Sequence, residues 1–170
     1  MTSKEQILQN IRTNNVVKDT TLPNYENFGL TFDDKFSKFT TMLESVGGKA
    51  LVIKKEQLDE TIKEIYPDEK IVSTNVDICK IGNFNSNNES DPHNLKNIDL
   101  AVVKGEFAVA ENGAVWLKNN ENRHRSLYFI AQNIVLVVDK KLLLNNMHEA
   151  YDLISFEKST YGVFVSGPSK

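Results

Sequence analysis

Apolar residues along this chain follow two rhythms. Short continuous apolar runs alternate with stretches whose apolar positions fall three and four residues apart. The first pattern predicts strands buried on both faces, and the second predicts helices with one inward stripe. Near the N-terminus, Ser3 and Gln6 fit a capping box, and Ile7, Leu8 and Ile11 make a narrow apolar face, so a helix is predicted over residues 4–14. Residues 15–30 have no period and contain Pro23 and Gly29, which predicts an arm, with Tyr25, Phe28 and Leu30 as anchors onto the domain or a partner.

From residue 31 the alternation is steady. Thr31 and Asp34 suggest a helix start, Phe32, Phe36, Phe39, Leu43 and Val46 keep helical spacing, and Gly47-Gly48 ends the element. Ala50–Ile53 reads as a strand, residues 55–65 as a helix with Leu58, Ile62 and Ile65 inward, and Lys70–Ser73 as a strand. Residues 83–97, from Asn83-Phe84-Asn85-Ser86-Asn87-Asn88 to Asn97, are too polar for a core and read as a mobile surface loop. Strands are then predicted at Ile98–Val103, Ala114–Leu117, Ile134–Val138 and Gly162–Val165, with a helix over residues 140–154 before the last. Such an order implies an α/β three-layer α/β/α domain with a mostly parallel sheet. The organisation expected is an N-terminal helix and arm over 1–30 and one domain over 31–170.

Composition narrows the function classes. The 170 residues are 40% hydrophobic and 25% charged, enough for a core in one domain. No apolar run reaches the roughly 18 residues of a membrane span. The polar N-terminus lacks the apolar segment of a secretory signal, so a cytoplasmic location is expected. A net charge of −3 argues against non-specific nucleic-acid binding, which needs a basic face. Cys79 is the only cysteine. An internal disulfide is excluded, and an iron–sulfur cluster, which takes about four Cys ligands, has no ligand set here. Cys79 stands among Val76, Ile78 and Ile81 and reads as a buried structural thiol. No His/Asp/Glu set has metal spacing, and neither a dinucleotide Gly-x-Gly-x-x-Gly nor a P-loop is present.

In parallel sheets, ligands sit beyond the carboxyl ends of strands. That rule draws attention to three segments. Gly105-Glu106 and Glu111-Asn112-Gly113 follow a buried strand; their carboxylates could act as base, acid or nucleophile, although Asn-Gly is also an ordinary hairpin turn. Ser166-Gly167-Pro168-Ser169-Lys170 exposes main-chain N–H groups, hydroxyls and a cation, which suits an anion, or is simply a strand exit. Arg123-His124-Arg125 could clamp an anion, or be a solvated turn.

Taken together, Ser3–Arg12, Leu43–Lys49, Val102–Trp116, Asn133–Val138, Asn146–Tyr151 and Ser166–Lys170 resemble the LUD domain of the LutC/YkgG lactate-utilization proteins. The most specific pieces are Ala110-Glu111-Asn112-Gly113 and Gly167-Pro168-Ser169-Lys170. The resemblance implies the fold shared by glucosamine-6-phosphate deaminase, ribose-5-phosphate isomerase and the CoA transferases (NagB/RpiA/CoA transferase-like). It also implies a non-redox subunit of L-lactate oxidation to pyruvate, acting beside Cys-rich iron–sulfur partners, with no cofactor in this chain. A small anionic ligand is expected at the strand-end cleft. Glu111 would be the catalytic candidate, and Gly105, Glu106, Asn112, Gly113, Arg125, Ser166, Gly167, Ser169 and Lys170 the ligand-binding ones. Two departures matter. The family commonly has Thr where Asn112 stands, and Glu111-Asn112-Gly113 also looks like the element whose Glu is acylated in CoA transferases. That keeps open a stand-alone CoA-transferase-like or sugar-phosphate enzyme using Glu111, as well as a regulatory binding module. The family also continues beyond Gly-Pro-Ser-Lys with a Thr-Ala-Asp-Ile-Glu-like segment, so a C-terminal truncation is expected.

Overall fold

The computed structural model describes residues 2–14, 28–118, 122–155 and 161–167. Its centre is strand β2 (Leu100–Lys104), flanked by β1 (Val72–Thr74) and β5 (Asn133–Val137). Both pairings are parallel, with Val72 opposite Leu100 and Leu100 opposite Asn133. A second sheet has the order β6-β3-β4-β7, formed by Leu143–Leu144, Phe107–Val109, Ala114–Lys118 and Gly162–Val165. Here β3 pairs with β6 in parallel and with β4 in antiparallel fashion, and β4 pairs antiparallel with β7.

The two sheets share one hinge. Gly105 N–H donates to the Val137 carbonyl at 2.9 Å, extending the first sheet, and Glu106 N–H donates to the Trp116 carbonyl at 2.9 Å, starting the second. Strand β2 thus bends into β3 across two residues.

Alternation along the central strands assigns each face its cover. Ala101, Val103, Ala108, Val115 and Leu117 join a core with Phe39, Leu95, Leu127 and Tyr128. That layer carries helix α2 (Lys35–Ser45) and the short helix α4 (Leu127–Ile130). Leu100 and Val102 face the other way, onto Leu58 and Ile62 of α3 (Leu58–Ile65). Phe107, Val109 and Trp116 meet Ala150 of α5 (Met147–Leu153). The arrangement is α/β/α, as expected, and burying side chains such as Leu58 and Ile62 stabilises it by about 1.5–3 kcal/mol each.

Local signals explain most boundaries. Asp34 caps α2 by accepting from Ser37 N–H at 3.0 Å, and Gly47 and Gly48 N–H donate to the last carbonyls, of Glu44 and Leu43. The first helix, α1 (Ser3–Asn14), has no buried residue. Its capping pair is Thr2 and Glu5, one register before the pair expected: Thr2 N–H donates to Glu5 Oε2 at 2.7 Å.

Several expectations are corrected. Ala50–Ile53 forms no strand; Leu51, Val52 and Ile53 are exposed, and the outer edge of β1 is met by Phe84 in a parallel bridge to Ser73. Ile65 is also exposed. The predicted helix over 140–154 is a 3₁₀ turn at Lys140–Leu142, strand β6 and then α5. Asn145 and Asn146 cause the break: Asn145 Nδ2 donates to Glu149 Oε1 at 2.8 Å, and Asn146 Oδ1 accepts from Glu149 N–H at 3.0 Å as the helix cap. The polar stretch 83–97 is built in, not loose. It contains two 3₁₀ turns, Ser86–Asn88 and Pro92–Asn97, and Leu95 is fully buried. The arm docks through its main chain: Asn146 Nδ2 donates to the Leu30 carbonyl at 2.9 Å, and Phe32 N–H donates to Asn145 Oδ1 at 3.0 Å. The side chains of Phe28 and Leu30 stay exposed, and Tyr25 lies outside the described residues.

Candidate functional site

The hairpin rim comes first, because the motifs gather there. Glu111 sits in the turn between β3 and β4, and its Oε2 accepts from Met147 N–H at 2.9 Å. The carboxylate therefore caps the first turn of α5, where the helix end carries partial positive charge. Asn112 Oδ1 accepts from Ala114 N–H at 3.1 Å, closing the turn, and the Asn112 carbonyl accepts from Ser166 Oγ–H at 3.0 Å. The two motif segments, distant in sequence, do meet at one rim.

What fills that rim is main chain. Gly113 has φ +68°, and a Cβ there would lie 2.9 Å from Leu43 N; Gly167 has φ +68°, and a Cβ would lie 2.7 Å from the Val46 carbonyl oxygen. Both glycines thus let the rim close directly on the end of α2. Gly105 is buried between the side chains of Val115 and Val138, and Glu106 is half-buried at the inter-sheet bend. Arg125 stacks its guanidinium on Tyr161, 4.3 Å from the ring centroid. Ser169 and Lys170 lie outside the described residues.

A different region holds open space. Beyond the carboxyl end of β1, a polar cleft of about 550 Å³ is lined by Thr74, Asn75, Asp77, Asn83, Asn85, Ser86, Asn87 and Asn122, with Val76, Cys79, Gly82 and Phe84. It lies where the strand-end rule places ligands. None of Glu111, Asn112, Gly113, Ser166 and Gly167 lines it.

Asparagines build this cleft by replacing absent main-chain partners. Asn75 Oδ1 accepts from Lys104 N–H at 3.0 Å, tying the ends of β1 and β2 together. Asn83 Oδ1 accepts from Val72 N–H at 2.9 Å, while its Nδ2 donates to the Lys70 carbonyl at 2.6 Å. Asn85 Oδ1 accepts from Asn87 N–H at 3.0 Å, and Asn87 Oδ1 accepts from Arg123 N–H at 2.8 Å. A main-chain N–H can only donate, so in all four the carboxamide oxygen is assigned by chemistry. On the far wall, Asn122, only 7% exposed, donates through Nδ2 to Tyr128 Oη at 3.1 Å.

Three cationic residues stand near this floor, two of them bonded to it through main-chain N–H groups. The lining carries one acidic side chain, that of Asp77. Lys80 Nζ–H donates to the Asp77 carbonyl, Lys104 N–H holds Asn75, and Arg123 N–H holds Asn87. All three cationic residues are exposed, and among the described residues the sole ion pair is His93 with Asp91. His124 Nε2 meets the Glu89 carbonyl at 2.8 Å, so the Arg123-His124 segment staples the 83–97 stretch to the cleft. Cys79 is buried at the back, and that burial pushes its thiol pKa up, with a hydrogen bond to Thr74 opposing the shift. A thiol held in its neutral form is a poor nucleophile and a poor metal ligand. Among the described residues no cluster of three His, Cys, Asp or Glu could hold a metal ion.

Sequence reasoning passed over this cleft because it treated residues 83–97 as loop and applied the strand-end rule only after later strands. The usable signal was Thr74-Asn75, an asparagine directly following a buried strand.

The fold and cleft define an α/β domain with a polar site at the carboxyl edge of its parallel strands. Residues 87–170 match the LUD domain family model. The fold is similar to that of a DUF162 family protein from Deinococcus radiodurans, at 15% sequence identity and a TM-score of 0.70, over 82% of this chain and 90% of that one. No curated protein matches. The chain carries a LUD domain over residues 87–170. Among the described residues no helix is long and apolar enough to cross a membrane.

Proposed function

We propose that this chain is a non-redox subunit of an L-lactate utilization system, working beside Cys-rich iron–sulfur proteins and binding a small anionic ligand in the asparagine-lined cleft. The observation that carries the reading is the LUD-domain match over residues 87–170, a span that includes Lys104, Asn122 and Arg123. Oxidising lactate to pyruvate releases two electrons, and a chain with one buried cysteine offers no ligand set for an iron–sulfur carrier. Electron transfer therefore falls to partners, whose clusters rest on their own cysteines.

The cleft supports the ligand half of the proposal. Its floor presents uncharged carboxamide groups, and it lies beyond the carboxyl end of a parallel strand, where ligands sit in such sheets. Within this reading Glu111 is a positioning residue, because its carboxylate is already engaged on α5.

The test is genetic and biochemical. Deleting the gene is expected to abolish growth on L-lactate while leaving growth on pyruvate intact. Affinity purification of the full chain from lactate-grown cells is expected to recover Cys-rich iron–sulfur proteins. Normal growth of the deletion strain on L-lactate, in a background without a second copy, would overturn the proposal.

A further inference from the structure

Strand β5 ends the parallel sheet. In the order β1-β2-β5 it pairs with β2 alone, whereas the outer edge of β1 is met by Phe84. Successive residues of a parallel strand turn their N–H and C=O groups alternately toward and away from the neighbouring strand. Asn133 N–H donates to the Asp99 carbonyl at 2.9 Å, and the Val137 carbonyl accepts from Gly105 N–H at 2.9 Å, so Asn133, Val135 and Val137 face β2. Ile134, Leu136 and Val138 therefore turn their main-chain groups outward, where none has a hydrogen-bond partner among the described residues.

Folded proteins protect such an edge with lysine, proline or a bulge, because its free N–H and C=O groups pair with any strand that reaches them. This edge has none of those devices. Ile134-Val135-Leu136-Val137-Val138 holds no charge and no proline, and its register against β2 runs unbroken from Asn133 to Val137. All five side chains are only half-buried. Ile134, Leu136 and Val138 pack on the core that contains Phe39, and Val135 and Val137 on the core that contains Leu58. Both cores thus end at this edge with apolar surface still open to water.

We infer that β5 pairs antiparallel with β5 of a second copy of this chain, about a two-fold axis at Leu136, joining the two parallel sheets into one. The strand is complementary to itself in that register. Leu136 lies opposite its own copy and Ile134 opposite Val138, so each outward-turned residue meets another and exchanges both main-chain bonds with it. Side chains opposite one another share a face, so each core continues across the axis. Charge agrees with the pairing. Beyond the apolar run, Asp139 falls opposite Asn133 and Lys140 opposite Gln132, so no like charges meet. In sequence the strand is bracketed by two exposed apolar side chains, Phe129 and Leu142, which add to the surface a second copy would cover.

Sedimentation equilibrium on the purified full chain is expected to show a species of twice 19.3 kDa. Amide exchange followed by NMR reads the register. The N–H groups of Ile134, Leu136 and Val138 are expected to be protected at high protein concentration and to lose protection on dilution, while those of Val135 and Val137 stay protected throughout. Leu136→Pro removes an outward N–H, which an edge strand tolerates, and is expected to leave monomer. That change also alters a half-buried side chain, so exposed Gln132 supplies a second test. Gln132→Lys faces Lys140 of the second copy and is expected to weaken the dimer about fivefold, and Gln132→Glu to tighten it by a similar factor. Melting curves check that each variant folds. Folded protein that remains at 19.3 kDa at every concentration reached would overturn the inference. So would a dimer indifferent to Leu136→Pro and Gln132→Lys, which would place the contact elsewhere. Protection of Ile134, Leu136 and Val138 that does not change on dilution would also overturn it, by giving the edge to another segment of the same chain.

Discussion

The hairpin rim and the asparagine cleft are built from opposite materials. At the rim, Gly113 and Gly167 bring main chain against main chain, and the side chains of Glu111, Asn112 and Ser166 each make a bond that ties the turn, α5 and the end of β7 together. At the cleft, side chains hold main-chain groups apart, with Asn75, Asn83, Asn85 and Asn87 each accepting from an N–H that no strand partner reaches. Glycines bring main chain close together at the rim, while carboxamide side chains line the open space of the cleft. Motif density alone is thus a poor guide to where a cavity lies.

The contrast can be broken first at its supports. Leu95 is fully buried beneath the 83–97 stretch, and Leu95→Ala is expected to cost about 2–5 kcal/mol, read by urea denaturation. A loss near zero would mean the stretch is the loose loop that its composition suggests. At the rim, Gly113→Val combines a positive φ with a Cβ against Leu43 N, so a loss of roughly 2 kcal/mol or more is expected in the same assay. It should leave the cleft's ligand affinity within about twofold per folded molecule, because no rim residue lines the cleft.

Smaller perturbations sharpen the comparison. Glu111→Gln weakens the cap on Met147 N–H and is expected to lower stability by about 1 kcal/mol without changing ligand affinity. An affinity loss of tenfold or more would move the functional centre back to the rim. The last test concerns pH. Asp99 accepts from Ile71 N–H at 2.8 Å and Lys70 N–H at 3.0 Å, and these bonds hold its carboxyl below the ordinary value of 3.8. A depressed folded pKa stabilises the protein above the unfolded value and loses that contribution as pH falls through the folded one. Acid unfolding monitored by circular dichroism should therefore steepen below pH 3.8, and Asp99→Asn should flatten that limb. Equal acid limbs would remove Asp99 from the anchoring of β1 beside β2.

Much of the scaffold could be read from local pattern. Strands β2, β4, β5 and β7 follow from continuous apolar runs, because a strand covered on both faces has no polar register to hide. The start of α2 was legible in Asp34 and its end in Gly47-Gly48, since caps act over three or four residues. The single cysteine bounded the redox chemistry by count alone. Strand β6 was not legible: Leu143 and Leu144 fit a helical stripe equally well, and only the open edge of β3 draws them into a sheet. Nor was the failure of Leu51-Val52-Ile53 to become a strand, because an apolar run needs a free edge, and the outer edge of β1 is met by Phe84.

The candidate site divides the same way. Sequence by itself determined which atoms were available: neutral amides in the 83–88 stretch, cations at Lys80, Lys104 and Arg123, and a Glu-Asn-Gly turn. Tertiary structure decided which were spent and which were spare. Glu111 meets Met147 from 36 residues away, and Asn87 meets Arg123 across another 36. Contacts of that range depend on how sheets and helices pack, which no local periodicity encodes.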